Sequence, residues 1–284
     1  MSDQRRVVYQ GEKGAFSHLC AKAHFGDSAE YIGEKTFLDV FSSLKTDRAD
    51  YGLLPIENSL VGSIHEVYDL LGQFGFCIVA EEYRRIHHCL LCNPSTLSKE
   101  DRMRVLDKVI SHPKALGQCE QFLAAFPKIE KVIYYDTAGS AKDLSLSKEE
   151  NVACIASKEA ADIYNLQVLY ENIEDDEENY TRFFVITKKP LQESQKKGNK
   201  VTLMLTLPHQ SGALADLLDV LKKHELNLTK IESRPLIGKA FEYIFYIDFE
   251  SPHLTENKTK IVLEKIRPKT TSLQLLGCYE AGKL

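Results

Sequence analysis

From residue 7 to residue 186, short apolar runs alternate with stretches whose apolar residues recur every three or four positions. That alternation restricts the fold more than any other feature. Val7-Val8-Tyr9 reads as a strand, residues 10–14 as a glycine-containing turn, and Phe16, Leu19, Cys20 and Ala23 as one stripe of a helix. The same spacing returns at Phe37, Val40, Phe41 and Leu44 behind Thr36, a suitable N-cap, and residues 51–56 follow as a buried strand. A second series begins near Arg84. It runs through strands at 86–92 and 109–110, then a helix opened by Pro113 with Leu116, Cys119, Leu123 and Phe126 on one side. A strand at 132–135, a helix after Thr137 and a strand at 152–156 complete it, and 167–170 and 183–186 supply further strands. Such an order implies mainly parallel sheets covered on both faces. It predicts an α/β domain of two lobes, roughly 1–83 plus 161–188, and 84–160, with ligands bound at strand C-terminal ends or between domains.

Residues 189–200 form the expected linker, because KKPLQESQKKGNK from position 188 has no apolar period and carries both Pro190 and Gly198. Beyond it the pattern changes. Val201, Leu203, Leu205 and Leu207 alternate with polar neighbours, and Leu214, Leu217, Leu218 and Leu221 mark a helix. Strands follow at 226–233 and 241–249, the second with Phe241, Tyr243, Phe245, Ile247 and Phe249 on one face. Thr255 can cap a helix holding Val262, Leu263 and Ile266, and 272–279 closes as a strand, so residues 201–284 follow the ferredoxin-like βαββαβ plan.

Composition narrows the function. A formal net charge of −5 argues against a general nucleic-acid binder, since phosphate contacts need concentrated Lys and Arg. Nowhere do 18 consecutive apolar residues occur, and the N-terminus runs straight into a strand without a signal-peptide pattern, so no membrane role is expected. Seven irregularly spaced cysteines fit a reducing compartment, and the expected location is cytoplasmic.

Four short polar motifs lie where strands end and helices or loops begin: Glu57-Asn58-Ser59, Ser111-His112-Pro113 with Gln118, Asp136-Thr137-Ala138, and Asn179-Tyr180-Thr181-Arg182-Phe183. Each alone reads as ordinary caps and turns. Together and in this order, with the opening Gly11-Glu12-Lys13-Gly14-Ala15-Phe16-Ser17, they resemble the prephenate dehydratase family over essentially the whole chain. The C-terminal part resembles an ACT domain of the phenylalanine-binding kind, Gly212-Ala213-Leu214 matching its GAL motif and Glu232-Ser233-Arg234-Pro235 its ESRP motif. The resemblance implies a periplasmic-binding-protein-like catalytic domain and the conversion of prephenate to phenylpyruvate, with no cofactor and no metal. It also implies inhibition by phenylalanine bound at Gly212, Ala213 and Leu214 with Glu232, Ser233, Arg234 and Pro235 of a neighbouring subunit, in a homodimer or homotetramer.

The chemistry explains these residue types. Loss of carbon dioxide and of the ring hydroxyl makes the prephenate ring aromatic, so an enzyme must orient a dianion and supply a donor to the departing hydroxyl. By resemblance Thr181 is that donor. Arg182 is either a bidentate carboxylate ligand or a residue that orders the pocket wall, because on a regular strand it would face away from Thr181. Asn58, Ser59, Ser111, His112, Gln118, Thr137 and Phe183 are the expected substrate-binding residues, and Glu57 is an orienting group or a general acid.

His87-His88-Cys89-Leu90-Leu91-Cys92 has the look of a metal or redox motif, but residues three apart on a strand face opposite sides and cannot share one ion. Residues 174–178, EDDEE, read as a solvated acidic loop. Arogenate, which carries an amine where prephenate has a keto oxygen, is the alternative substrate, and a non-catalytic metabolite sensor the alternative class. A bifunctional mutase-dehydratase is disfavoured, because the chain begins directly on the dehydratase pattern.

Overall fold

The computed structural model describes residues 4–188, 198–236 and 238–284, so residues 189–197 of the expected linker lie outside the described residues. In chain order the elements of the first part are β1 (Arg6–Gln10), α1 (Phe16–Phe25), β2 (Glu30–Glu34), α2 (Phe37–Lys45), β3 (Tyr51–Asn58), β4 (Gly62–Ser63), α3 (His65–Phe74) and β5 (Cys77–Arg85). Then come β6 (Cys89–Cys92), α4 (Lys99–Val105), β7 (Lys108–Ser111), α5 (Pro113–Gly117), α6 (Glu120–Ala124), β8 (Glu130–Ile133), α7 (Thr137–Ser147), β9 (Val152–Ala156), α8 (Lys158–Tyr164), β10 (Gln167–Tyr170) and β11 (Tyr180–Thr187). The C-terminal part comprises β12 (Lys200–Thr206), α9 (Ala213–Lys223), β13 (Asn227–Pro235), β14 (Tyr243–Glu250), α10 (Glu256–Ile266) and β15 (Ser272–Tyr279).

Two compact units emerge, one of Met1–Val40, Asn58–Val61 and Arg84–Thr181, the other of Phe41–Glu57, Gly62–Tyr83 and Arg182–Leu284. The partition runs elsewhere than position 188, because residues 41–57 and 62–83 belong with the C-terminal sheet. In the first unit β1 and β2 pair in parallel, and a five-stranded sheet runs β10-β6-β9-β7-β8. Its β7 is parallel to both β8 and β9, while β6 is antiparallel to β9. The second lobe was expected to stop at 160, yet β10 pairs antiparallel with β6 and extends that sheet to residue 170. Cys89 and Leu91 of β6 pack into one apolar cluster and Leu90 and Cys92 into another, as a strand buried on both faces requires.

In the second unit β3, β11 and β5 lie side by side, and a four-stranded antiparallel sheet runs β13-β14-β12-β15 with α9 and α10 packed against it. That is the βαββαβ plan. Val201, Leu203 and Leu205 of β12 meet Ile247 and Phe249 of β14 and Leu217, Leu221 and Val262 of the helices in one core. Phe241, expected on the β14 face, instead precedes the strand in a left-handed turn (φ 60°) and is 83% exposed.

Capping sets the boundaries. Thr36 and Asp39 cap α2 reciprocally, the Asp39 N–H donating to Thr36 Oγ1 (3.1 Å) and the Thr36 N–H to Asp39 Oδ2 (3.2 Å). Thr255 accepts from the Lys258 N–H at the start of α10. The single helix expected after Pro113 is broken into α5 and α6. At the break, the Asp175 carboxylate accepts the N–H groups of Glu120 (2.9 Å) and Gln121 (3.0 Å), which starts a second helix where periodicity alone would continue the first.

Candidate active site

The first unit gathers seven of the expected site residues: Asn58, Ser59, Ser111, His112, Gln118, Thr137 and Thr181. The side chain of Asn58, at the end of β3, ties Thr181 to its neighbours. Its Nδ2 lies 3.0 Å from Thr181 Oγ1, 2.8 Å from Asn179 Oδ1 and 3.1 Å from the Tyr180 carbonyl, so two N–H bonds serve three acceptors. Its Oδ1 accepts the N–H groups of Leu60 and Val61, which fixes the amide's orientation and leaves the nitrogen facing Thr181. Ser59 stitches the same strands together, donating to the Glu178 carbonyl (2.6 Å) and accepting from the Tyr180 N–H (2.9 Å). Thr181 is buried, 8% exposed, and its oxygen accepts from Asn58, so its own proton remains available to a third group.

Gln118 sits at the break between α5 and α6, where Oε1 lies 2.9 Å from Nε2 of the buried His88. Burial lowers the His88 pKa against the Gln118 hydrogen bond and the Glu174 charge, which favours a neutral ring. Its Nδ1 has no partner among the described residues; an orphan lone pair costs less than an orphan N–H, so Nε2 carries the proton and donates to Gln118. That leaves the Gln118 NH2 as the donor directed elsewhere. Sequence reasoning missed this role for His88, which alternation on a strand does not reveal.

The acidic loop is not simply solvated. The Glu174 side chain is 3% exposed, with Oε1 2.8 Å from His87 Nδ1 and Oε2 accepting the His88 N–H (2.8 Å), while Asp175 caps α6. A turn reading of the local sequence misses both partners because they lie more than 50 residues away.

Two of the expected substrate ligands make contacts within the protein, and a third opens a helix. The fully buried Ser111 hydroxyl donates to the Ile155 carbonyl (2.7 Å), so it is not a free donor. His112 caps α5, its Nδ1 accepting the Lys114 N–H (3.2 Å), and burial lowers its pKa. Thr137 opens α7 behind Asp136, whose Oδ1 accepts the Gly139 N–H (2.7 Å). Asp136 also explains the glycine-rich turn: Gly11 has φ 106°, and a Cβ there would lie 3.0 Å from Asp136 Oδ2. The turn is further tied down by Lys142 to Glu12 (3.0 Å), Ser157 Oγ to the Gly14 carbonyl (2.9 Å) and Tyr164 Oη to the Lys13 carbonyl (2.7 Å).

Glu57, Arg182 and Phe183 fall in the second unit. Phe183 is 1% exposed and belongs to the buried core. Arg182 is 5% exposed, and its carboxylate partners are the protein's own: Nε donates to Glu81 Oε2 (2.7 Å) and Nη1 pairs with Asp248 Oδ2 (2.6 Å). Thr181 and Arg182 alternate along β11, so the guanidinium is turned toward these carboxylates and away from the Thr181 hydroxyl. Glu57 pairs with Lys230 of β13 (2.8 Å).

The expected effector residues lie in the C-terminal sheet and its turns. Gly212 has φ 84° and open space around its Cβ position, and Ala213 and Leu214 help line a cavity of about 400 Å3 with His209, Gln210, Phe241 and Phe245. Glu232–Pro235 is not part of that lining; Glu232 accepts from Ser63 Oγ (2.5 Å), and Arg234 grips Asp69 through Nε (3.0 Å) and Nη2 (2.8 Å).

With its buried hydroxyl beside amide donors, this α/β chain is similar in sequence to dehydratases, and it is a carbon–oxygen lyase. The family model for prephenate dehydratase matches residues 7–191, and the chain belongs to the prephenate dehydratase family. It is 36% identical over 278 residues to a bifunctional chorismate mutase/prephenate dehydratase of Enterobacter agglomerans, covering 96% of this chain and 70% of that protein. It is also 36% identical to the chloroplastic arogenate dehydratase/prephenate dehydratase 2 of Arabidopsis thaliana, covering 96% and 72%. Among solved structures, prephenate dehydratase from Arthrobacter aurescens in complex with L-Phe superposes with a TM-score of 0.83 at 25% identity, covering 97% of this chain and 90% of that one. A protein described as a novel type of quorum quenching acylase, GqqA, superposes at 0.85 with 28% identity and 98% coverage of both chains.

Proposed function

We propose that this chain catalyses the decarboxylative dehydration of prephenate to phenylpyruvate, with Thr181 as the hydrogen-bond donor to the departing hydroxyl. The observation that carries this reading is the Asn58 amide donating to Thr181 Oγ1 at 3.0 Å. A hydroxyl that accepts one hydrogen bond is a better donor to a second group, and its proton has been left for that group. The ring carboxylate leaves as carbon dioxide, the electron pair of the broken C–C bond completes the aromatic ring, and the C–O pair departs with the hydroxyl as its charge grows. Thr181 stabilises that charge and passes on a proton that water replaces, because a threonine hydroxyl is too weak an acid to serve as a reservoir. Gln118 and Thr137 orient the substrate's carboxylates.

Regulation belongs to the second half of the proposal. The sheet of residues 200–279 acts as an ACT domain whose cavity beside Ala213 and Leu214 admits the phenylalanine ring, the left-handed turn at Gly212 allowing the zwitterion close backbone approach. Phenylalanine then lowers turnover in a cytoplasmic homodimer or homotetramer.

The test is direct. Purified protein is incubated with prephenate, arogenate or an acylase substrate, without added cofactor, and product is measured with and without phenylalanine. Faster turnover of prephenate supports the reading, faster turnover of arogenate replaces the substrate, and acylase activity alone refutes it.

A further inference from the structure

Behind the catalytic strand lies a buried group of four charges that the reaction chemistry does not use. Arg182 and Lys200 supply the cations, Glu81 and Asp248 the anions, and none of the four side chains is more than 5% exposed. The group is internally neutral and closely partnered. Glu81 Oε2 accepts from Arg182 Nε (2.7 Å), and Oε1 accepts from Lys200 Nζ (2.8 Å) and the Gly282 N–H (2.9 Å). Asp248 faces Arg182 Nη1 at 2.6 Å, and Tyr279 Oη accepts from Arg182 Nη2 at 3.4 Å while sharing a 2.6 Å bond with Thr202 Oγ1. Burial opposes the Arg182 charge, but Asp248, Tyr279 and Glu81 together hold its pKa above the usual value, so the guanidinium stays charged.

The origin of these partners matters. Glu81 comes from β5, but Lys200, Asp248 and Tyr279 come from β12, β14 and β15, three strands of the C-terminal sheet. Arg182 is peptide-bonded to Thr181, and a side chain fixed at both ends of its guanidinium fixes the strand that carries it. A buried ion pair is poor evidence for stability but good evidence for a required geometry, since apolar residues would fill the same space at least as well.

We propose that Arg182 is a positioning residue, not a substrate ligand, and that Asp248 of the C-terminal sheet holds the catalytic Thr181 in place through it. The C-terminal sheet is thereby coupled to Thr181 through the peptide bond between Thr181 and Arg182. A ligand that shifts β14 by a fraction of an ångström is felt at the Thr181 hydroxyl, with no contact between that ligand and the substrate. This rests on the dehydratase reading above for its activity measurements, but its structural content does not.

The experiment is a double-mutant cycle on the full chain with Arg182→Gln, Asp248→Asn and the pair, assayed well below each variant's unfolding temperature. Each single substitution is expected to lower kcat by about 10²-fold, the scale of an ångström-sized displacement of a catalytic group, with KM for prephenate changed by less than about threefold. The double variant should be no slower than the worse single one, because both remove the same contact. Should Arg182→Gln or Asp248→Asn fold poorly, Tyr279→Phe, which deletes the contacts to Arg182 Nη2 and Thr202 but leaves the Asp248 and Glu81 ion pairs, is expected to give a smaller kcat loss of the same kind. A rise in KM with kcat retained in Arg182→Gln would place the guanidinium on the substrate and overturn the proposal. Multiplicative losses in the double variant, or an Asp248→Asn enzyme with normal kcat, overturn it equally. Amide hydrogen exchange supplies an arm independent of substrate: Asp248→Asn should speed exchange in residues 180–184 relative to β1 and β9. If the wild-type chain proves not to be a dehydratase, that arm alone decides, and unchanged exchange refutes the coupling.

Discussion

At the scale of single residues, the decisive feature is the direction of one hydrogen bond. Asn58 gives an N–H to Thr181 and uses its carbonyl oxygen on the Leu60 and Val61 amides, so the threonine is left as a donor. Thr181→Val keeps the volume and removes the donor, and kcat is expected to fall by about 10²–10³-fold while KM stays close to wild type. Asn58→Asp reverses the polarity: the Thr181 proton is then attracted to the new carboxylate, and turnover should fall by a similar factor without loss of the fold. Steady-state kinetics on both variants check this, and an Asn58→Asp enzyme with wild-type kcat would show that the amide does not orient the hydroxyl.

Among the elements, two features carry measurable weight. Asp175 caps α6 from a distant loop and so places Gln118, which makes Asp175→Ala a cap deletion costing about 1 kcal/mol, visible as a lower denaturant midpoint with unchanged slope. Helix α1 holds His18 against the glycine turn, where the Gly14 N–H donates to its Nδ1 and burial, reinforced by Lys13 and Lys22, pushes its pKa down from 6.5 to about 4. A histidine whose folded pKa is depressed binds its proton in the unfolded chain first. Stability is therefore full above about pH 6.5 and falls as pH drops toward 4, by up to about 1.4 kcal/mol per pH unit for one proton. His18→Gln, which keeps an acceptor but does not titrate, should flatten the slope of unfolding free energy between pH 6.5 and 5. An unchanged slope would assign the acid sensitivity to other groups.

For the whole molecule, the C-terminal sheet is more than an attachment. Tyr246 donates to the Tyr68 carbonyl (2.6 Å), Lys230 to Glu57 (2.8 Å), and a Cβ on Gly277 would lie 2.4 Å from the Ile78 carbonyl oxygen. Removal of everything after Lys188 uncovers this face and strips Arg182 of Asp248. The expected result is loss of soluble, active protein rather than an active fragment insensitive to phenylalanine. Solubility, melting temperature and turnover of the fragment check this, and a soluble fragment with wild-type kcat would show that catalysis does not need the sheet.

Much of this was legible in one dimension. Apolar period gave the alternation up to residue 186 and the switch to βαββαβ beyond residue 200, because helix and strand faces repeat at fixed intervals. Local chemistry marked Thr36, Pro113 and Thr255 as helix starts, since a cap acts within one turn. The ordered polar motifs named Asn58 and Thr181. Contacts across long stretches of chain were not legible: the break that Asp175 imposes before α6, His88 behind Gln118, the capture of Ser111 by Ile155, and the pairing of Arg182 with Asp248 and Glu81. A sequence fixes which groups can donate, accept or carry charge, and tertiary structure alone decides which of them meet, since that depends on how distant strands are brought side by side.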